Sequence, residues 1–212
     1  MGRSEAARTA LLDAAERLFA EAGIAQVSDR RVAETAGNTN HSAVRYYFGG
    51  REGLLRALID RHSAAVDEWR RKMHEDDDSV LGDVRNLVMP AMKVLETLPR
   101  PSWRARFIGQ VLHDPAMHTL VRDASSREGA RLSRSLAARL ADLDPAVVTG
   151  RAVLTTRIVA TAAAEIEARA ERDGQDPRWL AVGSFISDAI AGMMAAPISD
   201  TGHLNPLPIP TS

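Results

Sequence analysis

The stretch GNTNHSAVRYYFGG, Gly37 to Gly50, decides how this chain reads. It holds both tyrosines, side by side, in a 212-residue sequence with four Phe and three Trp. Gly37 and the run Asn38-Thr39-Asn40 are turn chemistry, because Gly accepts positive φ and Asn side chains bond their own backbone. His41 or Ser42 to Tyr47 fits one short helix, broken by Gly49 and Gly50. Upstream, Ser28 suits an N-cap and Asp29 a first turn, with Val32, Ala33 and Ala36 as the buried side of a second short helix. Before that, Leu11, Leu12, Ala15, Leu18, Phe19 and Ala22 recur at helical spacing, and Gly23 closes the run.

Two short helices across a glycine-containing turn, braced by a third, predict a helix-turn-helix. The second helix of that motif enters the major groove of DNA and presents its N-terminal residues to base edges. Thr39, Asn40, His41, Ser42 and Arg45 are short or planar hydrogen-bonding groups suited to bases and phosphates. Val44 and Phe48 are expected to anchor the helix inward. Tyr46 and Tyr47 offer rigid bodies with hydroxyl tips that reach backbone oxygens. Arg51 falls in the first turn of the next helix, where free N–H groups attract phosphate. Each has a plainer reading: a tyrosine packed in the small domain, a solvated Arg45, a Ser28 that only caps.

The rest of the chain also reads as helix, so the fold class is all-α. A long stripe, Leu55, Leu58, Ile59, His62, Val66, Trp69 and Met73, predicts a helix from about Arg51 to His74. Val80 to Leu98 gives another, and Trp103 to His113 a third. A helix or pair of helices then runs to about Ala141. Pro145 suits the first turn of a helix reaching about Glu171, and a last helix spans about Pro177 to Ala195. The expected organisation is 1–50 as the helix-turn-helix domain, 51–74 as a connecting helix, 75–196 as a ligand-binding and dimerisation domain, and 197–212 as a Pro-rich tail.

Two rows of small residues are spaced by four: Thr156, Ala160 and Ala164, then Gly183, Ser187 and Ala191. Such rows let helices cross closely. They fit packing within one chain and equally a four-helix interface between two. Methionines and aromatics supply candidates for an apolar pocket: Met89, Met92, Trp103, Phe107, Val111, His113 and Met117. Ordinary core is the competing reading for each.

Net charge is −1 and 45% of residues are hydrophobic, so a core is available but no global electrostatic argument for nucleic acid is. There is no cysteine, which excludes disulfides and thiol chemistry and fits a reducing cytoplasm. No run of 18 apolar residues suggests a membrane span, and the amphipathic first residues do not read as a signal peptide. G-x-S-x-G, H-E-x-x-H and paired Glu-x-x-His motifs are missing, so no enzyme, metal or cofactor is expected.

LLDAAERLFAEAGIAQVS, RRVAETAG, the YYF triplet and REGLL, taken in order, resemble the DNA-binding domain of TetR-type transcriptional regulators over residues 8–55. The stretch from Ala36-Gly37 to Phe48 is one residue longer than the commonest spacing. That leaves the register of the turn residues on base-contacting positions open by one. Tyr47 stands where His is common. The resemblance implies phosphate contacts at Ser28, Tyr46, Tyr47 and Arg51. It implies base or phosphate contacts at Thr39, Asn40, His41, Ser42 and Arg45, with Arg30 a weaker candidate. It further implies a homodimeric repressor of transcription on double-stranded DNA, relieved by a small molecule; dimer symmetry then predicts an inverted-repeat operator, and the methionine and aromatic candidates predict an apolar or aromatic effector. An activator of the same fold, or a helical small-molecule carrier without specific DNA binding, remain alternatives.

Overall fold

The structure, a computed structural model, describes residues 2–74, 76–124 and 126–198. Most of the expected tail lies outside these residues. Among them every regular element is helical: α1 (Arg3–Ala22), α2 (Asp29–Thr35), α3 (Ala43–Phe48), α4 (Arg51–Met73), α5 (Val80–Thr97), α6 (Arg104–His113), α7 (His118–Asp123), α8 (Arg127–Arg139), α9 (Pro145–Asp173) and α10 (Trp179–Ala195).

The α1 stripe folds as its spacing predicts. Leu11, Leu12, Ala15, Leu18 and Phe19 are buried, whereas Ala22 is exposed. Gly23 adopts φ 93° and returns its N–H to Phe19 O at 2.9 Å. These side chains meet Val32, Val44, Leu54, Leu55, Leu58 and Ile59 in one core, each large apolar side chain contributing about 1.5–3 kcal/mol by burial. The α5 helix runs straight through Pro90. A proline there costs a helical N–H, and the buried Val84, Val88, Met92, Val94 and Leu95 hold the helix through it.

The first core does not stop at the expected boundary. Phe107 and Val111 of α6 and Leu120 of α7 belong to it, and the Phe107 ring lies 6.0 Å from that of Phe19. Gln110 clamps the junction: its Nε2 donates to Phe19 O at 2.8 Å, and its Oε1 accepts from Ile24 N at 3.1 Å. On its other side α6 packs against α9, where a Cβ on Gly109 would stand 3.4 Å from Ala164 Cβ. The buried carboxylate of Glu167 reaches from α9 to the first turn of α6. It accepts from Ala105 N at 3.2 Å, Arg106 N at 2.9 Å and Ser102 Oγ at 2.8 Å, satisfying N–H groups that a helix start leaves open. So α6 joins the N-terminal helices to the rest.

The α9 and α10 helices run antiparallel. Arg151 donates to Met194 O at 2.8 Å at one end, and Glu171 and Trp179 line a common cleft at the other. By length and hydropathy alone α9 could cross a membrane. Here it covers α6.

The small-residue rows face into the chain. Ala160 and Ala164 are the surface against Gly109. At Gly183 a Cβ would stand 2.8 Å from both Met89 Sδ and Met92 Cγ, so that glycine seats α10 on α5. Ser187 is fully buried, and Ala191 packs on the second core. Thr156 is exposed and donates to Ala152 O. The apolar residues these two helices leave exposed are different ones: Leu154 and Ile158 on α9 and Phe185, 75% exposed, on α10.

Candidate nucleic-acid interface and effector chamber

Ser28 Oγ accepts from Arg31 N at 3.2 Å and caps α2 while remaining on the surface. Gly37, at φ 71°, ends the helix region and turns the chain. Asn38 Oδ1 then accepts from Asn40 N at 3.0 Å, and Asn40 Oδ1 from Ser42 N at 2.9 Å. These two consecutive Asx turns launch α3 at Ala43, slightly later than expected. Asn40 thereby commits its oxygen to the turn, which fixes the side chain and leaves its amide N–H groups to face a partner. Thr39, His41 and Ser42 are exposed at the same end of α3.

Ala43 and Val44 are buried and hold α3 down. Arg45 is exposed and makes no ion pair among the described residues. Tyr46 is 77% exposed. Its ring stands edge-on to that of Tyr47, with centroids 4.9 Å apart and planes at 87°. Tyr47 and Phe48 are half-buried against the core, so the two tyrosines divide the work: one packs, the other projects. Arg30 bonds Glu34 at 2.7 Å, and His41 Nδ1 lies 3.7 Å from the same carboxylate. The hydrogen bond from Arg30 holds the Glu34 carboxyl below its usual range. That negative charge beside α3 tempers both residues as phosphate contacts.

Arg51 departs from expectation. It donates to Asp29 Oδ1 at 3.2 Å and to Ile24 O, and its guanidinium lies 4.3 Å from the centre of the Phe19 ring. It braces α4 against the α1–α2 junction instead of projecting to solvent. Gly49 (φ 77°) and Gly50 (φ 126°) make the corner before it. At Gly53 a Cβ would lie 1.8 Å from the carbonyl oxygen of Phe48, so the close approach of α4 to α3 requires a glycine.

A cavity of about 490 Å³ opens between α5, α6, α8 and α9, within the size range of small-molecule sites. Met92 is the one pocket candidate that lines it. Met89 lies at the α5–α10 crossing. Trp103 sits at the N-cap of α6 under the Arg17 guanidinium. Phe107 and Val111 point into the first core, and Met117 packs against it. His113 is held by Gly109 O at 2.6 Å and reaches Thr161 Oγ1 at 3.4 Å. The stripe read as pocket wall is therefore one face away from the actual wall of α6, which is Ala105, Ile108 and Leu112. The bulkier stripe was drawn to Phe19. His62 of α4 also lines the cavity; its signal in the sequence was a lone polar ring within an apolar stripe.

Residues 11–58 match the family model described as bacterial regulatory proteins, tetR family. The HTH-type transcriptional regulator TtgR of Pseudomonas putida is 30% identical over 107 residues, covering 50% of this chain and 49% of that protein. The chain thus spans about half the length of the curated relatives it matches. Among solved structures, a TetR-family regulator from Shewanella sp. PV-4 superposes with a TM-score of 0.60 at 16% identity, covering 87% of this chain and 95% of the other. One from Rhodococcus sp. gives 0.53 at 18%, covering 87% and 98%. These two share the fold along nearly their whole length. With the helix-turn-helix in place and its residues matched, the N-terminal helices form a DNA-binding domain of the tetR type, and the chain as a whole shares the fold of TetR-family regulators.

Proposed function

We propose that this protein is a cytoplasmic, DNA-binding transcriptional regulator, acting as a repressor on an inverted-repeat operator and released by a small apolar effector. The observation that carries the reading is α3: it is anchored by buried Ala43 and Val44 while Arg45 and Tyr46 stand out from it into solvent. Thr39, His41, Ser42 and the amide N–H groups of Asn40 flank its start. Exposed Ser28 and the half-buried Tyr47 are the residues assigned to the phosphate backbone. Arg51 supports DNA binding by fixing the angle between α4 and the motif. Repression is what the family resemblance supports.

Two copies pair through the outward face of α9 and α10. Exposed Leu154, Ile158 and Phe185 supply the apolar surface for it. A two-fold dimer presents its recognition helices to successive major-groove faces. The cavity beside α4 is the effector site. Effector and operator each weaken the other's binding by the same factor, because the coupling is reciprocal.

The test is fluorescence anisotropy of the purified protein with DNA flanking its own gene and with scrambled DNA, across a salt series. Phosphate contacts require affinity to fall steeply with salt. Base readout requires a gap of at least about 10³ between the two DNAs. Failure to bind either DNA at low salt overturns the reading.

A further inference from the structure

Two cavities meet at His62. The larger has no charged side chain on its wall. The second, about 410 Å³, shares His62, Leu87, Ala91 and Ser133 with the first. Its Arg70 is paired with Asp67, so its charges compensate each other. The polar side chains on the larger wall are four hydroxyls and one imidazole. Each hydroxyl proton is already engaged: Ser133 with Gly129 O at 3.0 Å, Thr149 with Pro145 O at 2.8 Å, Thr156 with Ala152 O at 3.2 Å, and Thr155 with Met194 Sδ at 3.7 Å. His62 differs. Its Nδ1 is sealed from solvent and has no hydrogen-bond partner, and no bond is formed to Nε2 among the described residues.

Burial, reinforced by the nearby Arg104 cation, lowers the His62 pKa to about 3. The ring is therefore neutral at physiological pH, with one N–H and one lone pair. A ligand hydroxyl that bonds the ring gains a hydrogen bond inside an apolar chamber, which a purely hydrocarbon ligand cannot make. A charged ligand finds no counter-charge on these walls and loses its hydration. With Nδ1 sealed, Nε2 is the nitrogen left to a ligand. Nε2 is a donor in one tautomer and an acceptor in the other, and a hydroxyl serves both.

We propose that the effector is an uncharged hydrophobic molecule bearing a hydroxyl group, and that Nε2 of His62 is the group that selects it. This rests on the larger cavity being the effector site. The test uses the full chain loaded with the neutral fluorescent dye N-phenyl-naphthylamine, displaced by para-hexylphenol, hexylbenzene and para-hexylbenzoate. The phenol is expected to displace the dye at a concentration about 10-fold lower than hexylbenzene, with the benzoate weakest. In His62→Leu the phenol and hexylbenzene become equal. His62→Gln, which keeps a donor and an acceptor, restores part of the preference even where the leucine variant folds poorly. If the dye does not bind the wild-type chain, the effector-site reading fails. If the dye binds but phenol and hexylbenzene compete equally, or the preference survives His62→Leu, or His62→Gln shows none, the His62 proposal is overturned and the cavity stands.

Discussion

Nε of Arg104 lies 2.5 Å from Oε2 of Glu16, which ties the start of α6 to the middle of α1. Both side chains are almost fully buried. Arg61 of α4 reaches the same oxygen at 2.7 Å and Asp13 at 2.6 Å. Three helices thus share one carboxylate. Removing one side of a buried pair leaves an uncompensated charge, so Glu16→Gln is expected to lower stability by about 3 kcal/mol. The double variant Glu16→Leu with Arg104→Met should recover part of that loss. Urea unfolding of the three proteins checks both.

Stability should also fall in mild acid, through His62. Its folded pKa is held at about 3 against the ordinary 6.5, by burial and then by Arg104. Between those values the unfolded chain binds a proton that the folded chain does not, so stability drops as pH falls through the window. The slope approaches about 1.4 kcal/mol per pH unit, or about 2 kcal/mol between pH 7 and pH 5. The difference in urea midpoints between wild type and His62→Phe across that range isolates this one group.

Tyr46→Ala should weaken operator binding while leaving thermal unfolding nearly unchanged, since the ring is largely in solvent. Arg45→Ala should reduce the salt slope of binding by about one if it meets a phosphate. If it meets a base, it should relax specificity at one position at a cost of about 1–3 kcal/mol. Anisotropy against single-base operator variants separates the two.

Phe185→Glu together with Ile158→Glu should give a monomer in sedimentation velocity. Both residues are exposed in the single chain, so secondary structure by circular dichroism should persist. Operator affinity should drop with the loss of the second half-site contact.

Gly53→Ala should be costly although alanine is the better helix former. The added Cβ would meet backbone, at 1.8 Å from Phe48 O and 2.9 Å from Phe48 C. Relief requires α3 to move off α4. The expected loss is about 1–3 kcal/mol, with operator binding reduced more than stability. Parallel unfolding and anisotropy measurements test that imbalance.

The fold was legible because its signals are local. Ser28, Gly37 and Gly49-Gly50 mark helix ends wherever they fall, and the α1 stripe can bury only one face. The exposure of the candidate interface was legible on α3, though the sequence did not show that Asn40 and Arg51 would be drawn into the scaffold. Both assignments depended on partners reached by the fold: Ser42 N for Asn40, and Asp29 with Phe19 for Arg51. The chamber was the least legible part. Phe107 and Ile108 are adjacent and similarly apolar, and only the position of Phe19 decides that the first fills a core and the second lines a cavity. The small-residue rows left their partner open for a related reason. Spacing by four shows that another helix approaches closely, but not which helix it is.

The α4 helix is one uninterrupted rod of 23 residues, about 34 Å long at 1.5 Å per residue. His62 stands about 16 Å along it from Arg51. A pivot of about 5° at His62 carries the Arg51 end through about 1.4 Å. In the proposed two-fold pair the separation of the two α3 helices then changes by nearly 3 Å, close to the 3.4 Å rise of one base pair. On the proposed function, a pivot of this size beside the chamber is therefore already commensurate with the step of the DNA ruler.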